Sequence, residues 1–425
     1  NVRLLSIPVL FAAELVEHKV MAGNRPNSTL VAPTLTPFAL GALRRYPDVE
    51  APELTAVNAA DRLILDESAA MRSEAATGAG DLVVIGDDYG ALTLSAAAEG
   101  ARGIRVHQDP LLGERALARN ATEFGLDGTF TSLPLGAELV RGARVVLLRL
   151  PRSLEALDDI AALLAAHAAP DVVVVAGGRI KHMTVAMNDV LARHFSRVDV
   201  THARQKSRVL IARAPQGGGH DPVAACRTHA LPGEMVDPGT GTGTGTGSIT
   251  VCAFGGAFAG ASIDIGTRFL LENLPARIDA GTGPAIDFAC GTGVVGSWLA
   301  LRHPELQVYA SDQSAVAVAS AGATAQANGV ADRVRVVRDD GLSLRADASA
   351  SFIALNPPFH TGATVHTGLA GRLFAEAARV LEPGGELWTV WNSHLAYRSQ
   401  LERIVGPTRQ VARGAKFTVT VSTRR

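Results

Sequence analysis

The chain has 425 residues, 47% hydrophobic and 19% charged, with a formal net charge of −1. That composition excludes a disordered chain, and the length suits two domains better than one. A charge near zero excludes attraction of the whole molecule to nucleic acid, but the charge is unevenly spread. Segments 179–213 and 398–425 each carry a net +6, which leaves −13 elsewhere. Two such segments suit either contact with an anionic polymer or two solvated faces.

From the amino end, Leu4–Val16 is apolar, but it is too short to span a bilayer and Glu14 interrupts it. It lacks a small-residue cleavage pattern, so no secretory leader is expected. Residues 1–40 read as an extension of unclear role, with Met21 as a second candidate start. Cys226, Cys252 and Cys290 show neither CxxC spacing nor an even count. Neither a disulfide framework nor a metal site is therefore expected, and a reduced cytoplasm is the expected setting.

Between 41 and 213, the apolar runs Leu82–Gly86, Arg144–Leu150 and Val172–Ala176 alternate with Ala-rich helical stretches. Residues 214–248 are rich in Gly and Pro and end in a Gly-Thr repeat, the pattern of a flexible linker. From 249 to 425 the alternation resumes with Ala285–Ala289, Gln307–Ser311, Val334–Val337 and Ser351–Leu355. Continuous apolar strands between helices predict two tandem doubly wound α/β domains with parallel sheets covered on both faces. Gly90 and Asp109 recur as Gly293 and Asp312 at an offset of 203, and Leu150-Pro151 recurs as Asn356-Pro357 at 206. These landmarks point to an internal duplication.

The second half carries the chemistry. Asp287 closes a strand that runs into Ala289-Cys290-Gly291-Thr292-Gly293 and then a helix. Such a turn lets a ligand approach the backbone, and helix amides favour its anionic groups. Asp312, at the end of the next strand, suits a ribose diol. Asp339 and Asp340 follow the third strand, where one of them suits an adenine amino group. These features fit a dinucleotide enzyme or a methyltransferase, and Asn356-Pro357-Pro358-Phe359 decides between them. The Asn356 oxygen and the Pro357 carbonyl can accept both hydrogens of a planar amino group, which localises its lone pair. The two prolines fix the turn, so the acceptors are preorganised, and Phe359 offers a stacking face. S-adenosyl-L-methionine is the expected cofactor. Phe258 and Asp264 are candidates for a lid or for core packing, and His360 for a structural role. The first half has Arg149-Leu150-Pro151-Arg152 in place of the tetrapeptide, so it is expected to lack catalysis, its arginines suiting phosphate. Arg204, Lys206 and Arg208 are the chosen RNA-binding candidates.

From about Arg44 onward, the chain resembles the bacterial ribosomal-RNA guanine-N2 methyltransferases built from two tandem methyltransferase-like domains. The resemblance rests on Leu82–Leu94, Leu147–Pro151, Ile263–Arg268, Ile286–Gly296 and Asn356–His360. Asn392–Leu395 and Lys416-Phe417 are closer to the large-subunit (23S) members than to the small-subunit (16S) ones. It implies two Rossmann-like class I domains, with a degenerate N-terminal copy that helps bind ribosomal RNA. The C-terminal copy would bind S-adenosyl-L-methionine and methylate guanine N2, with no membrane involved. The tetrapeptide alone also admits adenine, cytosine or a protein glutamine, and loss of turnover would leave an RNA-binding protein. Two departures stand out: Ala289 replaces a usual Gly, and the Gly-Thr repeat looks inserted.

Overall fold

The computed structural model describes residues 38–75, 80–231, 235–236, 243–244, 247–279, 281, 283–358 and 367–425. Most of the 1–40 extension, much of the Gly-Thr repeat, Phe359 and His360 lie outside the described residues.

In the first half, helix α1 (Ala59–Ala75) precedes β1 (Leu82–Ile85), α2 (Ala91–Ala98), β2 (Ile104–His107), α3 (Leu111–Phe124) and β3 (Phe130–Ser132). Then come α4 (Ala137–Val140), β4 (Val145–Arg149), α5 (Leu154–His167), β5 (Val173–Arg179), α6 (Ala186–His194), β6 (Phe195–Val200) and β7 (Ser207–Pro215). Between the halves run β8 (Ala225–Ala230), the two-residue strands β9 (Met235–Val236) and β10 (Gly243–Thr244), and β11 (Ser248–Ala253). The second half runs α7 (Ile265–Leu271), β12 (Ala285–Phe288), α8 (Val294–Arg302), β13 (Val308–Asp312), α9 (Ala315–Ala327), β14 (Val334–Arg338) and β15 (Ala350–Leu355). It closes with α10 (Thr367–Val380), β16 (Leu381–Asn392), α11 (Arg398–Ile404), β17 (Thr408–Arg413) and β18 (Phe417–Thr423).

Both halves form a seven-stranded sheet, ordered β3-β2-β1-β4-β5-β7-β6 and β14-β13-β12-β15-β16-β18-β17. The one strand order occurs twice, as the recurring landmarks predict. Each sheet has apolar layers on both faces, which is why β1 is buried at every position and why its sequence, Leu-Val-Val-Ile, does not alternate. The sheets are not wholly parallel, however. In each, the last two strands form an antiparallel hairpin, β7 pairing with β5 and β6, and β18 with β16 and β17.

The 214–248 segment also departs from a plain linker, because β8 pairs along its length with β11. On the other side, β11 is held by a row of polar side chains one turn apart on α9. Ser320 Oγ accepts from Phe254 N (3.1 Å), Thr324 Oγ1 from Cys252 N (3.0 Å) and Asn328 Oδ1 from Thr250 N (2.9 Å). The expectation of unpaired cysteines is likewise corrected. Cys226 and Cys252 face each other across the β8–β11 ladder and form a disulfide, while Cys290 is free and buried. Their separation of 26 residues carries no local signal, and only the strand pairing brings them together.

Candidate active site

The turn after β12 is left-handed at Ala289 (φ 56°), Gly291 (φ 53°) and Gly293 (φ 74°). Gly293 permits a close crossing, since a Cβ there would stand 2.7 Å from Ala321 Cβ on α9. A Cβ at Gly291 would meet open space. Asp287 Oδ2 accepts from Gly296 N at 2.7 Å and so anchors the first turn of α8. Burial pushes its carboxyl up to about 7, with Asp312 adding to the rise. Asp312 takes Gly291 N (3.0 Å) on Oδ2 and Ser314 N (2.9 Å) on Oδ1, tying the turn after β12 to the loop after β13. Burial raises its pKa too. A carboxylate oxygen has two lone pairs, so each keeps one for a further donor.

Asn356 follows β15, and its amide orientation is chemically forced. Nδ2 donates to Asp264 Oδ2 (3.2 Å) and to Thr267 Oγ1 (3.0 Å). Because an ionised carboxylate can only accept, the NH₂ end must face Asp264. Oδ1 therefore points the other way, and it is buried without a hydrogen-bond partner among the described residues. A buried acceptor left open is costly, about 1–3 kcal/mol, unless a ligand completes it. Asp264 is itself fixed, capping α7 by accepting from Gly266 N (2.9 Å) and Thr267 N (3.2 Å). Thr267, absent from the sequence-based candidates, completes this clamp. Asp264 acts behind Asn356, which differs from the lid considered for it, while Phe258 is exposed at the cavity mouth.

These groups line one cavity of about 420 Å³, which also takes in Ala289, Gly293's neighbours Thr292 and Val294, Asp339, Asp340, Pro357 and Pro358. That volume is within the range of small-molecule sites. Asp339 is committed to its own loop, accepting from Ser343 Oγ (2.5 Å) and Leu344 N (3.0 Å). Asp340 is paired with Arg372 and with Arg115 at 3.1 Å. Both carboxylates are thus engaged within the protein while lining the cavity. Part of the cavity wall comes from the other half of the chain: Asp109, Pro110 and Leu112.

At the corresponding place in the first half, polar side chains pair with one another beside a smaller cavity of about 300 Å³ that Arg45, Asp48, Asp88 and Tyr89 help to line. Arg149 pairs with buried Asp61 and with Asp88 at 3.1 Å. The Tyr89 hydroxyl donates to Asp48 Oδ2 at 2.6 Å, and the Arg45 guanidinium stands 4.5 Å from the Tyr89 ring centre. Of the RNA-binding candidates, half-exposed Arg204 stands beside Asp66 (3.3 Å) and Glu67 (3.0 Å) on α1, which offset its charge. Lys206 and Arg208 stay exposed, at the end of the sheet where β5 and β4 finish. Exposed Arg152, Arg179 and Lys181 stand at that same end. Burial, then the charges of Arg152, Lys181 and Arg179, hold His182 below its ordinary range.

Two family models match, the RLMG N-terminal domain over residues 34–216 and the methyltransferase small domain over 248–421. The ribosomal RNA large subunit methyltransferase G of Streptomyces avermitilis is 34% identical over 91% of this chain and 98% of its own length. This chain belongs to the ribosomal RNA large subunit methyltransferase G family. Its member from Pseudomonas aeruginosa is 33% identical over 90% of this chain and 97% of its own. Among solved structures, a T. thermophilus 16S rRNA N2 methyltransferase in complex with AdoMet and guanosine shares the fold. Its TM-score is 0.64 and its identity 20%, with 81% of this chain and 88% of that one covered. Both halves are thus class I methyltransferase folds, and the methyltransferase G family assignment makes the chain an enzyme. Among the described residues, no helix is long and apolar enough to cross a membrane, and no group of three metal-binding side chains assembles.

Proposed function

We propose that this enzyme transfers a methyl group from S-adenosyl-L-methionine to the exocyclic N2 of a guanine in large-subunit (23S) ribosomal RNA. The observation that carries this reading is the Asn356 clamp, which leaves one buried oxygen aimed away from Asp264 and Thr267 and open to a donor. An amino group conjugated to a ring is that donor. Asn356 Oδ1 and the Pro357 carbonyl accept its hydrogens, which turns its lone pair toward the incoming carbon. S-adenosyl-L-methionine supplies that carbon on a sulfonium sulfur. The N–C bond forms as the C–S bond breaks, and the proton leaves to solvent. Holding nitrogen and carbon in line contributes roughly 7–11 kcal/mol in favourable cases, so no strong base is needed. A base stacked on Phe359 would gain ~1–3 kcal/mol.

For the cofactor, the residues present fit the adenosine moiety: Asp312 for the ribose, the 289–293 turn for close backbone approach, and the Asp339–Gly341 loop for the base. The relatives at 31–34% identity carry the large-subunit name, which supports 23S over 16S. We assign residues 41–213 to RNA docking and 249–425 to catalysis, and take ribosomal RNA in the cytoplasm as the substrate. Arg152, Arg179, Lys181, Lys206 and Arg208 replace Arg204 at the head of the RNA-binding candidates. Mass mapping of methylguanosine in 23S RNA treated with purified enzyme tests the reading, and methylation of another base or of 16S RNA alone would overturn it. Removing the charges of Arg179, Lys181 and Lys206 should lower the salt slope of RNA binding by about 0.7–0.9 per contact.

A further inference from the structure

We propose that Asp109, in the half without a catalytic tetrapeptide, is a positioning residue for the cofactor and that the pocket is shared by both halves. The proposal rests on the cofactor-site reading above. Asp109 is the counterpart of Asp312 at the offset of 203, yet it serves the other domain. Its Oδ1 accepts from Ser314 Oγ at 2.9 Å and from Val316 N at 2.8 Å, and its backbone oxygen accepts from Ala315 N at 3.0 Å. These donors belong to the loop after Asp312 and to the first turn of α9. Leu111 N returns the contact to Gln313 O at 2.9 Å, so the loop after β2 and the loop after β13 pair as a short antiparallel bridge.

The bridge leads directly to the ribose carboxylate. Asp312 Oδ1 accepts from Ser314 N, whose own side chain is held by Asp109. Without the Asp109 carboxylate, Ser314 Oγ and Val316 N lose their acceptor, and Asp312 loses the fixed donor that sets its rotamer. Charge ties flank the bridge: Arg338 pairs with Glu114 at 2.7 Å and donates to Asp109 O at 3.1 Å, and Arg115 pairs with Asp340 at 3.1 Å. Three side chains of the first half, Asp109, Glu114 and Arg115, thereby fix the loops assigned to ribose and base.

The test is calorimetric titration of the full chain with S-adenosyl-L-methionine, alongside steady-state kinetics. Asp109→Ala should raise Kd and the cofactor KM about tenfold or more, with a much smaller fall in kcat. Asp109→Asn, whose amide oxygen still accepts from Ser314 Oγ and Val316 N, should restore most of the affinity. A general loss of packing would not be rescued by Asn and would not split KM from kcat. Unchanged Kd in Asp109→Ala, or equal losses in the Ala and Asn variants, would overturn the proposal. Asp312→Ala separates the two readings, since undiminished affinity there would overturn the cofactor-site reading itself. Should Asp109→Ala fail to fold, Ser314→Ala removes the hydroxyl donor more gently, and an affinity equal to the parent's would then overturn the brace.

Discussion

The two halves share a strand order and a Gly-centred helix start, and they diverge at the carboxyl end of the fourth strand. The last residue of β4 is Arg149, its guanidinium drawn back to Asp61 and Asp88. After β15 stands Asn356, its NH₂ pinned and its oxygen open. The helix starts match closely: Gly90 is left-handed against Leu117 of α3, as Gly293 is against Ala321 of α9. The carboxylates beneath them do not match. Asp87 reaches Leu92 N and Thr93 N from the turn, whereas Asp287 reaches Gly296 N from within its strand. A duplicated fold thus keeps its packing while its ligand end is free to change. In one copy that end holds internal ion pairs beside a cavity of about 300 Å³; in the other it opens on a larger one of about 420 Å³.

The largest expected effect breaks the first copy. Arg149→Met would leave Asp61, only 1% exposed, as a buried carboxyl without its partner. Loss of one partner of a buried pair costs about 3–5 kcal/mol, readable by urea denaturation. Next, Asn356→Ala should slow single-turnover methyl transfer by about 10²–10³-fold, the usual loss for one preorganised polar group, with cofactor affinity little changed. Leu150→Asn in the first copy should create no second site, since Arg149 stays drawn to Asp61 and Asp88 at the end of β4.

Asp287 gives a smaller effect with a definite sign. Its carboxyl titrates near 7 when folded against the usual 3.8, so the folded state holds an extra proton between those values. The stability this gives is complete below about pH 4 and is lost as pH rises through 7. Asp287→Asn keeps an acceptor for Gly296 N and should flatten that decline. Smallest is the turn itself. Ala289→Gly should stabilise the second half by about 1 kcal/mol through relief of a left-handed Ala. Gly86→Ala, its counterpart at the offset of 203, should do the reverse, since φ is 78° and the new Cβ would lie 3.2 Å from Arg149 Cβ. Thermal unfolding of both variants measures the contrast.

Much of this was legible in the sequence because its causes are local. Apolar strands, a Gly-rich turn and a rigid Pro-Pro segment follow from neighbouring residues, and so did the second-half placement of Asp312 and Asn356 beside one cavity. What sequence reasoning missed depends on contacts between distant segments. Thr267 meets Asn356 from 89 positions away, and Asp109 meets Val316 from 207. Charge counting chose Arg204 within a basic run but could not see Asp66 and Glu67 folding against it. The Gly-Thr repeat hid the pairing of β8 with β11, since composition records flexibility and not partners. The repeat offset marks Asp109 as the counterpart of Asp312 but does not show that its carboxylate turns to the neighbouring domain.

That turn of Asp109 bears on the order in which the molecule is made. Two amides at the start of α9, those of Ala315 and Val316, find their acceptors on Asp109. Translation runs from the amino end, and domains fold largely as they emerge. The acceptor is therefore in place, on a finished first half, before the donors leave the ribosome. A circular permutation that put the second half first would present the same contacts in reverse, with α9 frayed at its first turn until the last strand of its partner arrived.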